Sequence, residues 1–286
     1  MNKNIQTFLA CDAAYEDADT VLFGVPFDGT TSFRPGTRFG PSAIRNESFG
    51  IETYSPYCEK DLTDCSIFDG GDLELPFGNT ERVLQVTEEY TGQILIDGKI
   101  PVMLGGEHLI TLGAVRAVLK KYPNLHILHF DAHTDLRTDY IGEELSHSTV
   151  MKQIWNLTGD GRIHQFGIRS GERYEFEFAS EHTDLHKFNL QDFDTVLATL
   201  RGEPVYFSLD LDVLDPSIFC GTGTPEAGGV SFQELLNAVL KLHRLNIVGC
   251  DINELSPHYD PSGTSTAVAC KITREVLLQL KQKEER

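Results

Sequence analysis

The sequence predicts an α/β fold in which a mostly parallel sheet is covered by helices on both faces. Short runs rich in β-branched and aromatic residues alternate with longer segments of helical period, which is typical of such a sheet. The chain has 286 residues with 40% apolar content, so it can bury a large core. No linker, composition break or internal repeat divides it, and we therefore predict a single domain over residues 1–286.

Six apolar runs have the length and composition of buried strands. They are TVLFGV (20–25), IPVMLG (100–105), LHILHF (125–130), IHQFGI (163–168), PVYFSL (204–209) and LNIVGC (245–250). Amphipathic stretches lie between them, and their apolar spacing predicts crossover helices. These stretches include TERVLQVTEEYTGQILIDG, LITLGAVRAVLKKY and SFQELLNAVLKLHRL. The densest Gly- and Pro-rich segment, residues 26–41, is expected to be a structured loop.

The overall charge narrows the classes of partner. A formal net charge of −19 opposes binding to nucleic acid and to anionic membranes, and it weakly favours cationic ligands. The amino end has no apolar segment of signal-peptide length, and no run of ~18 apolar residues could span a membrane. The six cysteines form no CxxC pair, so we expect reduced thiols. These features predict a cytoplasmic location.

Chemically reactive side chains follow four of the predicted strands, at the point where each strand ends. The four groups are Glu107 with His108; Asp131 with His133 and Asp135; Asp210 with Asp212 and Asp215; and Asp251 with Glu254. In an open α/β sheet, ligands bind in the crevice beyond the carboxyl ends of the strands. We therefore expect the four groups to meet in one crevice.

The acids of this crevice need positive charge. Carboxylates in contact raise one another's pKa, so the clustered aspartates are either protonated or neutralised by metal. Two histidines and four aspartates suit two divalent ions that share a water, as in two-metal hydrolases. Oxygen-rich ligands without thiolates favour Mn²⁺ over Zn²⁺, although other divalent metals remain open. Taken singly, each segment has a plainer interpretation as a loop, a tight turn or a helix cap.

Three segments in this order, LGGEH (104–108), FDAHTD (130–135) and SLDLDVLDP (208–216), resemble the signatures of the ureohydrolase family, the arginases and agmatinases. Further segments are closest to agmatinases, namely SFRPGTRFGPSAIR (32–45), SHST (146–149), FGIRSGE (166–172), GTGTPEAGG (221–229) and DINELSP (251–257). The resemblance covers nearly the whole chain. It implies a three-layer α/β/α arginase-like fold with a mostly parallel eight-stranded sheet. It also implies a centre of two Mn²⁺ per subunit and hydrolysis of a guanidinium compound to urea and an amine.

Through this resemblance, six residues match the family's metal ligands. His108, Asp131, Asp135 and Asp210 match the ligands of one manganese, and His133, Asp131, Asp210 and Asp212 match those of the other. The resemblance makes Asp131 and Asp210 the bridging ligands. The chemistry requires such a centre, because the guanidinium carbon is a poor electrophile and two cations lower the pKa of water enough to supply hydroxide.

Catalytic roles are implied for Asp135, His147 and Glu254. Asp135 matches the family ligand that carries a proton to the leaving amine. His147 resembles the family's proton-shuttling histidine, and its ordinary pKa of about 6.5 suits exchange with solvent. Glu254 matches the glutamate that pairs with the substrate guanidinium. The plainer alternatives are a loop histidine without a role and a structural acid at a turn.

The expected substrate is a small cationic guanidino compound. Arginases resemble one another in an Asn/Ser-rich segment that binds the amino-acid carboxylate, and here that place is taken by the loop with Glu143 and Glu144. Glu226 is a further candidate for an acidic pocket wall. The leading expectation is hydrolysis of agmatine to putrescine and urea, in polyamine biosynthesis. The alternatives are guanidinobutyrate or a related guanidino compound, and, less favoured, a single-zinc deacetylase of the same broad fold.

Several neighbouring residues are expected to be structural. His126 and His129 lie within a predicted strand and should be packed or hydrogen-bonded in the core. The loop around Arg34 and Arg38 should shape the rim of the site or a subunit contact, since it lacks the GK[ST] ending of a phosphate loop. Cys220 stands where the family usually has proline. The family resemblance also suggests a homo-oligomer, either a trimer or a hexamer.

Overall fold

A central sheet lies between two layers of helices in the computed structural model, which describes residues 6–280. Within these residues, the strands are β1 (Thr20–Val25), β2 (Tyr54–Ser55), β3 (Lys60–Asp61), β4 (Ile67–Asp72), β5 (Ile100–Gly105), β6 (His126–Phe130), β7 (Ile163–Ile168), β8 (Asp184–Lys187), β9 (Pro204–Asp210) and β10 (Asn246–Asn253). The α-helices of the same part of the chain are α1 (Gly40–Ser48), α2 (Thr80–Ile96), α3 (Thr111–Lys121), α4 (Val150–Thr158), α5 (Arg173–His182), α6 (Phe193–Thr199), α7 (Phe232–Val239) and α8 (Thr264–Gln279).

The large sheet contains eight strands in the order β4-β1-β5-β10-β9-β6-β7-β8, and every neighbouring pair is parallel. Strands β2 and β3 form a separate antiparallel pair. The predicted mostly parallel eight-stranded sheet is therefore confirmed. Parallel pairing requires a crossover between strands, and the amphipathic helices supply these crossovers.

The core is divided by the sheet into two apolar layers. Successive side chains of a strand point to opposite faces, so Val102 and Leu104 of β5 pack in one layer and Met103 packs in the other. Apolar residues of α1, α6, α7 and α8 fill the first layer, while those of α2, α3, α4 and α5 fill the second. This burial on both faces explains why the central strands are apolar at almost every position.

All six predicted strands are present in the large sheet, but the prediction missed two others of that sheet and the short pair β2-β3. Strands β4 and β8, with the sequences IFDGGD and DLHK, lie at the two edges of the sheet and are only partly buried. An edge strand contacts one neighbour, so it needs fewer apolar residues and gives a weaker signal. The strand predicted over 245–250 is longer and runs to Asn253, which puts Asp251 inside the sheet.

Two broader expectations can be compared with the described residues. None of their helices has the length and apolar character needed to cross a membrane. All six cysteines are described and are free thiols, as expected. The single domain over residues 1–286 stays a prediction.

Candidate metal centre

Four adjacent strands in the middle of the sheet, β5, β10, β9 and β6, end at one crevice. Their carboxyl ends carry the four predicted groups of reactive side chains. Parallel strands present their carboxyl ends at the same edge, so residues far apart in sequence converge there. The structure brings all six predicted metal ligands into this crevice, almost fully buried apart from His133, whose side chain is 23% exposed.

The glycine pair after β5 allows close packing of the chain against the loop after β1. A Cβ on Gly106 would overlap the backbone of Phe27. The N–H of Gly106 donates to the carbonyl of Val25 (3.0 Å), and the N–H of Glu107 donates to the carbonyl of Phe27 (2.7 Å). A short 3₁₀ helix, His108–Ile110, follows at once. Glycine is therefore needed at position 106, because it lets the two segments pack closely and so fixes the backbone position of His108.

Hydrogen bonds determine the orientation of the His108 ring. The Ser208 hydroxyl donates to Asp251 (2.7 Å), so Nε2 of His108, 2.8 Å from the same hydroxyl, must be the donor in that contact. In the neutral ring, which is the form that can bind a metal, the proton on Nε2 leaves a lone pair on Nδ1. Burial lowers the pKa of His108, but the three carboxylates near this nitrogen outweigh burial and raise the pKa well above its ordinary value. This second nitrogen is buried and makes no hydrogen bond. Asp251 thus supports the ring from inside the sheet and does not point its carboxylate into the crevice.

The free nitrogen of His108 faces three carboxylates. Its distances to the Oδ2 atoms are 3.0 Å for Asp131, 3.3 Å for Asp135 and 3.4 Å for Asp210. Nδ1 of His108 therefore lies within 3.4 Å of an oxygen from each of three carboxylates, and the potential ligand atom of His108 lies within 4.8 Å of those of Asp131 and Asp135. This donor set matches the first predicted ligand group and fits a divalent cation.

A second group of donors forms beside the first. Nδ1 of His133 lies 3.1 Å from Oδ2 of Asp212 and 3.4 Å from Oδ1 of Asp131. Oδ2 of Asp212 is buried without a hydrogen-bond partner. Asp131 thus presents one oxygen to each group, as expected of a bridging ligand. The contacts of the other predicted bridge, Asp210, are with His108 and with the N–H of Asp212 (2.8 Å).

The electrostatic balance of the cluster is incomplete without cations. Within residues 6–280, the side-chain ion pairs of the four aspartates involve histidines and no lysine or arginine. Burial, and next the charge of neighbouring aspartates, raises the pKa of Asp135 and Asp210. Burial raises the pKa of Asp131, but its close contacts with the rings of His108, His129 and His133 outweigh burial and lower the pKa well below its usual range. Divalent ions would replace the protons that these groups otherwise retain.

His129 has a role that the sequence prediction did not assign. Its Nε2 lies 2.8 Å from Oδ2 of Asp131, and its Nδ1 accepts a hydrogen bond from the Gln165 amide (3.1 Å). The proton is therefore on Nε2 and is donated to the aspartate. Potential ligand atoms of His129, His108, Asp131 and Asp135 lie within 4.8 Å of one another. Because its donated proton occupies Nε2, His129 supports Asp131 and does not belong to the ligand set.

Two residues of the site have a left-handed backbone. Asp135 has a φ of 52° and Glu254 has a φ of 66°, values that are uncommon for residues other than glycine. The Glu254 N–H donates to the carbonyl of Gly106 (3.0 Å), and its carboxylate accepts from the N–H of His108 (2.7 Å). These bonds hold Glu254 next to the first metal-ligand group. Strained backbone of this kind is concentrated at functional sites.

His147 lies at the side of the crevice, at the start of the 3₁₀ helix His147–Thr149. Its Nδ1 is 3.7 Å from Oε1 of Glu254, and the ring is largely buried. Burial lowers the pKa of His147. The carboxylates of Glu254, Asp135 and Glu107 outweigh burial, so this pKa lies above its ordinary value. The structure thus brings His147 beside the predicted ligands without a direct ligand contact.

A cavity of about 340 Å³ opens outward from the cluster. Its inner wall includes His133, Asp135 and Asp210, and its outer wall includes Arg137 and Glu172. The expectation that Glu143, Glu144 and Glu226 form its acidic walls is wrong. Glu143 lines a neighbouring cavity, Glu144 lies on the surface, and the Glu226 carbonyl accepts hydrogen bonds from Arg169.

The acidic character of the cavity comes from other residues. Nη2 of Arg137 is 3.2 Å from Glu172, and its Nε is 3.6 Å from the buried carboxylate of Glu175. Two carboxylates thus face one guanidinium, which leaves a formal charge of −1 on this wall. No pattern in the sequence links Arg137 with Glu172 and Glu175, so this wall was not predicted.

The remaining predicted residues lie outside the cluster. Arg34 donates to the carbonyls of Thr222 and Gly223 (2.9 and 3.1 Å). The loop of residues 26–41 therefore contacts the 221–229 segment. Arg38 pairs with Asp28 in the same loop. The exposed Sγ of Cys220 is 4.0 Å from the Tyr259 carbonyl and contacts no candidate ligand.

The fold and this cluster together define a hydrolase with a site suited to two metal ions. The chain belongs to the arginase family, whose model matches residues 18–279. The agmatinase of Bacillus subtilis (strain 168) is 49% identical over 277 residues, which cover 96% of this chain and 96% of that protein. The human mitochondrial guanidino acid hydrolase is 34% identical over 286 residues, with 93% of this chain and 79% of that protein covered.

Solved structures agree with the predicted fold. A crystal structure of a Clostridium difficile protein superposes with a TM-score of 0.92 at 50% identity and covers 93% of this chain and 98% of that one. The three-layer arginase-like fold is therefore confirmed, as is the resemblance to the ureohydrolases.

Proposed function

We propose that the protein hydrolyses agmatine to putrescine and urea with two Mn²⁺ per subunit. The observation that carries this proposal is that Nδ1 of His108 faces the carboxylates of Asp131, Asp135 and Asp210 at 3.0 to 3.4 Å, beside a second group that shares Asp131. The similarity to the Bacillus subtilis agmatinase supports the substrate. Oxygen-rich donors without thiolates support manganese.

The chain's own residues account for the remaining requirements of the reaction. When bound, the two ions supply hydroxide near neutral pH by lowering the pKa of water. Asp135 lines the cavity and is the candidate that donates a proton to the leaving amine. His147, which contacts Glu254, exchanges protons with solvent. Glu254 pairs with the guanidinium group, for which a buried carboxylate is a suitable partner.

The outer wall of the cavity supports an amine at the other end of the substrate. The group of Arg137, Glu172 and Glu175 carries a net formal charge of −1, so an ammonium would neutralise it and a carboxylate would double its charge. An unpaired charge that loses solvent costs several kcal/mol. At this end of the molecule agmatine has an ammonium and guanidino acids have a carboxylate. Arginine has both groups, so its carboxylate would lack a partner here.

A guanidino acid is the second candidate. Arg137 is a cation on the cavity wall, and a carboxylate could bind it if Glu172 turned toward solvent. The 34% identity to the human guanidino acid hydrolase supports the same alternative.

Release of urea from a panel of substrates tests this proposal. The protein is stripped with a chelator, reloaded with Mn²⁺ and assayed with agmatine, arginine and guanidinobutyrate. We expect no activity before reloading, and a kcat/KM for agmatine that exceeds that for arginine by roughly 10³. Comparable values for all three would contradict the agmatine assignment and leave the hydrolase class intact.

A pair of aspartate variants makes the metal part of the test sharper. Asp212→Asn removes a candidate ligand and should lower the Mn²⁺ content. Asp215→Asn is the matched control, because Asp215 lies three positions further along but accepts hydrogen bonds from Ser217 and Gly228 on the surface. Full activity of the stripped protein, or equal metal loss in both variants, would contradict the proposed centre.

The assembly, the location and the absence of further partners remain predictions from the sequence and the family resemblance. We expect a homo-oligomer, trimeric or hexameric, in the cytoplasm, and we expect it to bind neither nucleic acid nor membrane. Sedimentation analysis of the Mn²⁺-loaded protein tests the assembly.

A further inference from the structure

The loop between β1 and α1 has no role in the proposed reaction, yet it lies directly on His147. The N–H of Ser32 donates to Nε2 of His147 (3.1 Å), and the Ser32 hydroxyl is 2.8 Å from the same nitrogen. The N–H of His147 donates to the hydroxyl of Thr30 (3.1 Å). Two neighbouring loop residues therefore fix both the backbone and the ring of His147.

These contacts determine which nitrogen of His147 carries the proton. Because the Ser32 N–H donates to Nε2, the proton of the neutral ring is on Nδ1, which faces Glu254 at 3.7 Å. A hydroxyl can donate to an imidazole nitrogen and can also accept from it. The Ser32 hydroxyl can therefore pair with the ring whether Nε2 has lost or gained a proton, whereas the Ser32 N–H pairs with Nε2 only when that nitrogen carries no proton.

A buried carboxylate holds the loop in this position. Glu107 is fully buried and accepts hydrogen bonds from the N–H of Thr30 (2.8 Å), the hydroxyl of Thr30 and the hydroxyl of Thr31 (3.3 Å). The same Thr30 hydroxyl accepts the hydrogen bond from the His147 backbone. A continuous chain of contacts thus runs from Glu107 through Thr30 to His147.

The other end of the loop is fixed separately. Asp28, which is almost fully buried, accepts from the N–H of Gly36 (2.8 Å) and pairs with Arg38. The loop is therefore anchored on both sides of Ser32. Its position does not depend on contacts with His147 alone.

We propose that Ser32 is a positioning residue for His147, and that Glu107 holds Ser32 in place through Thr30. The inference rests on the proposed function, since it assigns Ser32 and Glu107 to the proton exchange carried out by His147. Neither residue acts on the substrate in this scheme. Both act through the imidazole ring.

A double-mutant cycle on the Mn²⁺-loaded enzyme tests the inference. Ser32→Ala should lower kcat for agmatine about tenfold, the effect of one lost hydrogen bond, with KM and Mn²⁺ content within twofold of wild type. Ser32→Thr keeps a hydroxyl and should restore most of the loss. In a His147→Asn background, Ser32→Ala should cause no further loss. Ser180→Ala, at an exposed helix position, is the matched control.

A second variant tests the link to Glu107 while leaving Glu107 itself unchanged, because that residue is next to the candidate ligand His108. Thr30→Val removes the hydroxyl between Glu107 and the His147 backbone. It should lower kcat as Ser32→Ala does, again with no further loss in the His147→Asn background. Circular dichroism and metal content confirm that each variant is folded and loaded.

The outcomes separate this inference from the proposed function. Losses from Ser32→Ala that multiply with those of His147→Asn would overturn it, because Ser32 would then act independently of the ring. An unimpaired Ser32→Ala beside an impaired His147→Asn would overturn it and leave the shuttle intact. Full activity of His147→Asn would contradict the shuttle itself and, with it, this inference.

Discussion

Two buried clusters of charge differ in how their acids are neutralised. In one cluster, Nε of Arg45 is 2.8 Å from Asp69, and the same guanidinium also pairs with Asp72. The carboxylate of Asp69 accepts further hydrogen bonds from the N–H groups of Phe8 and Gly71. In the other, at the carboxyl ends of the central strands, the four aspartates form ion pairs with histidines and, among residues 6–280, with no lysine or arginine. The first cluster contains its own cation. The second has no permanently charged cation among the described residues.

The difference separates a structural cluster from a functional one. A buried ion pair needs full hydrogen bonding to offset the cost of removing charges from water, and Arg45 with Asp69 meets that condition. The metal-centre cluster leaves Nδ1 of His108 and Oδ2 of Asp212 without hydrogen-bond partners. Such a cluster destabilises the metal-free protein and gains stability when cations bind.

The largest expected effect comes from breaking the second cluster. Asp210→Asn should lower kcat roughly 10³-fold and reduce Mn²⁺ content, because a neutral amide is a poor substitute for a carboxylate ligand. The stability of the chelator-treated protein should be unchanged or higher. Asp210 has a raised pKa from burial and then from Asp212 and Asp131, so its charge is unfavourable without metal. Activity assays, metal analysis and urea unfolding check these three points. Wild-type activity, or a large loss of metal-free stability, would contradict the contrast between the clusters.

The opposite pattern is expected for the first cluster. Arg45→Met leaves buried Asp69 without its cation and should lower the free energy of unfolding by about 3–5 kcal/mol. The kcat and Mn²⁺ content of the folded fraction should not change. Arg82→Met is the matched control, because the pair of Arg82 with Glu89 is exposed and should contribute below ~1 kcal/mol. Equal losses in the two variants, or loss of metal with Arg45→Met, would show that the clusters are not distinct.

The smallest effect concerns a third cluster that contains its own cation, at the amino ends of β6 and β7. Arg162 donates to Nε2 of His126 (2.8 Å), whose Nδ1 is 3.1 Å from Nε2 of His164. Burial, with the charges of His164 and Arg162, lowers the pKa of His126 to about 4. As the pH falls, His126 therefore binds a proton at a higher pH in the unfolded chain than in the folded one. The free energy of unfolding should decrease as the pH drops from about 6.5 towards 4.

His126→Gln should flatten this part of the pH profile. Urea unfolding of chelator-treated protein at several pH values between 7 and 4 measures the difference, since metal release is then absent. Parallel profiles for wild type and variant would show that His126 does not contribute to the pH dependence.

The convergence of the candidate ligands was predictable because the signal was local. Each follows a recognisable apolar strand, and parallel strands bring such ends together; the residues are His108, Asp131, His133, Asp135, Asp210 and Asp212. Their assignment as metal ligands comes from the family resemblance and stays a prediction. The support of Asp131 by His129 had a usable signal too, since positions i and i+2 of a strand share a face. That signal was ambiguous, because a buried strand histidine is also compatible with ordinary packing.

Contacts between distant segments could not be predicted. The orientation of His108 depends on Ser208 and Asp251, which lie 100 and 143 positions away in the chain, and the sequence contains no pattern that pairs them. The outer wall of the cavity was mispredicted for the same reason. Glu143 and Glu144 are close to His147 in sequence, but Glu172 reaches the cavity through its contact with Arg137. Edge strands β4 and β8 were missed because partial burial weakens their pattern.

The position of β10 has a consequence for how the protein is made. This strand follows all other strands of the sheet in sequence, yet it lies between β5 and β9. A chain leaving the ribosome therefore exposes β5 and β9 with a gap between them until β10 has been synthesised. The candidate metal site, which takes residues from the ends of β5 and β9, therefore cannot be complete until Asn246–Asn253 has been synthesised.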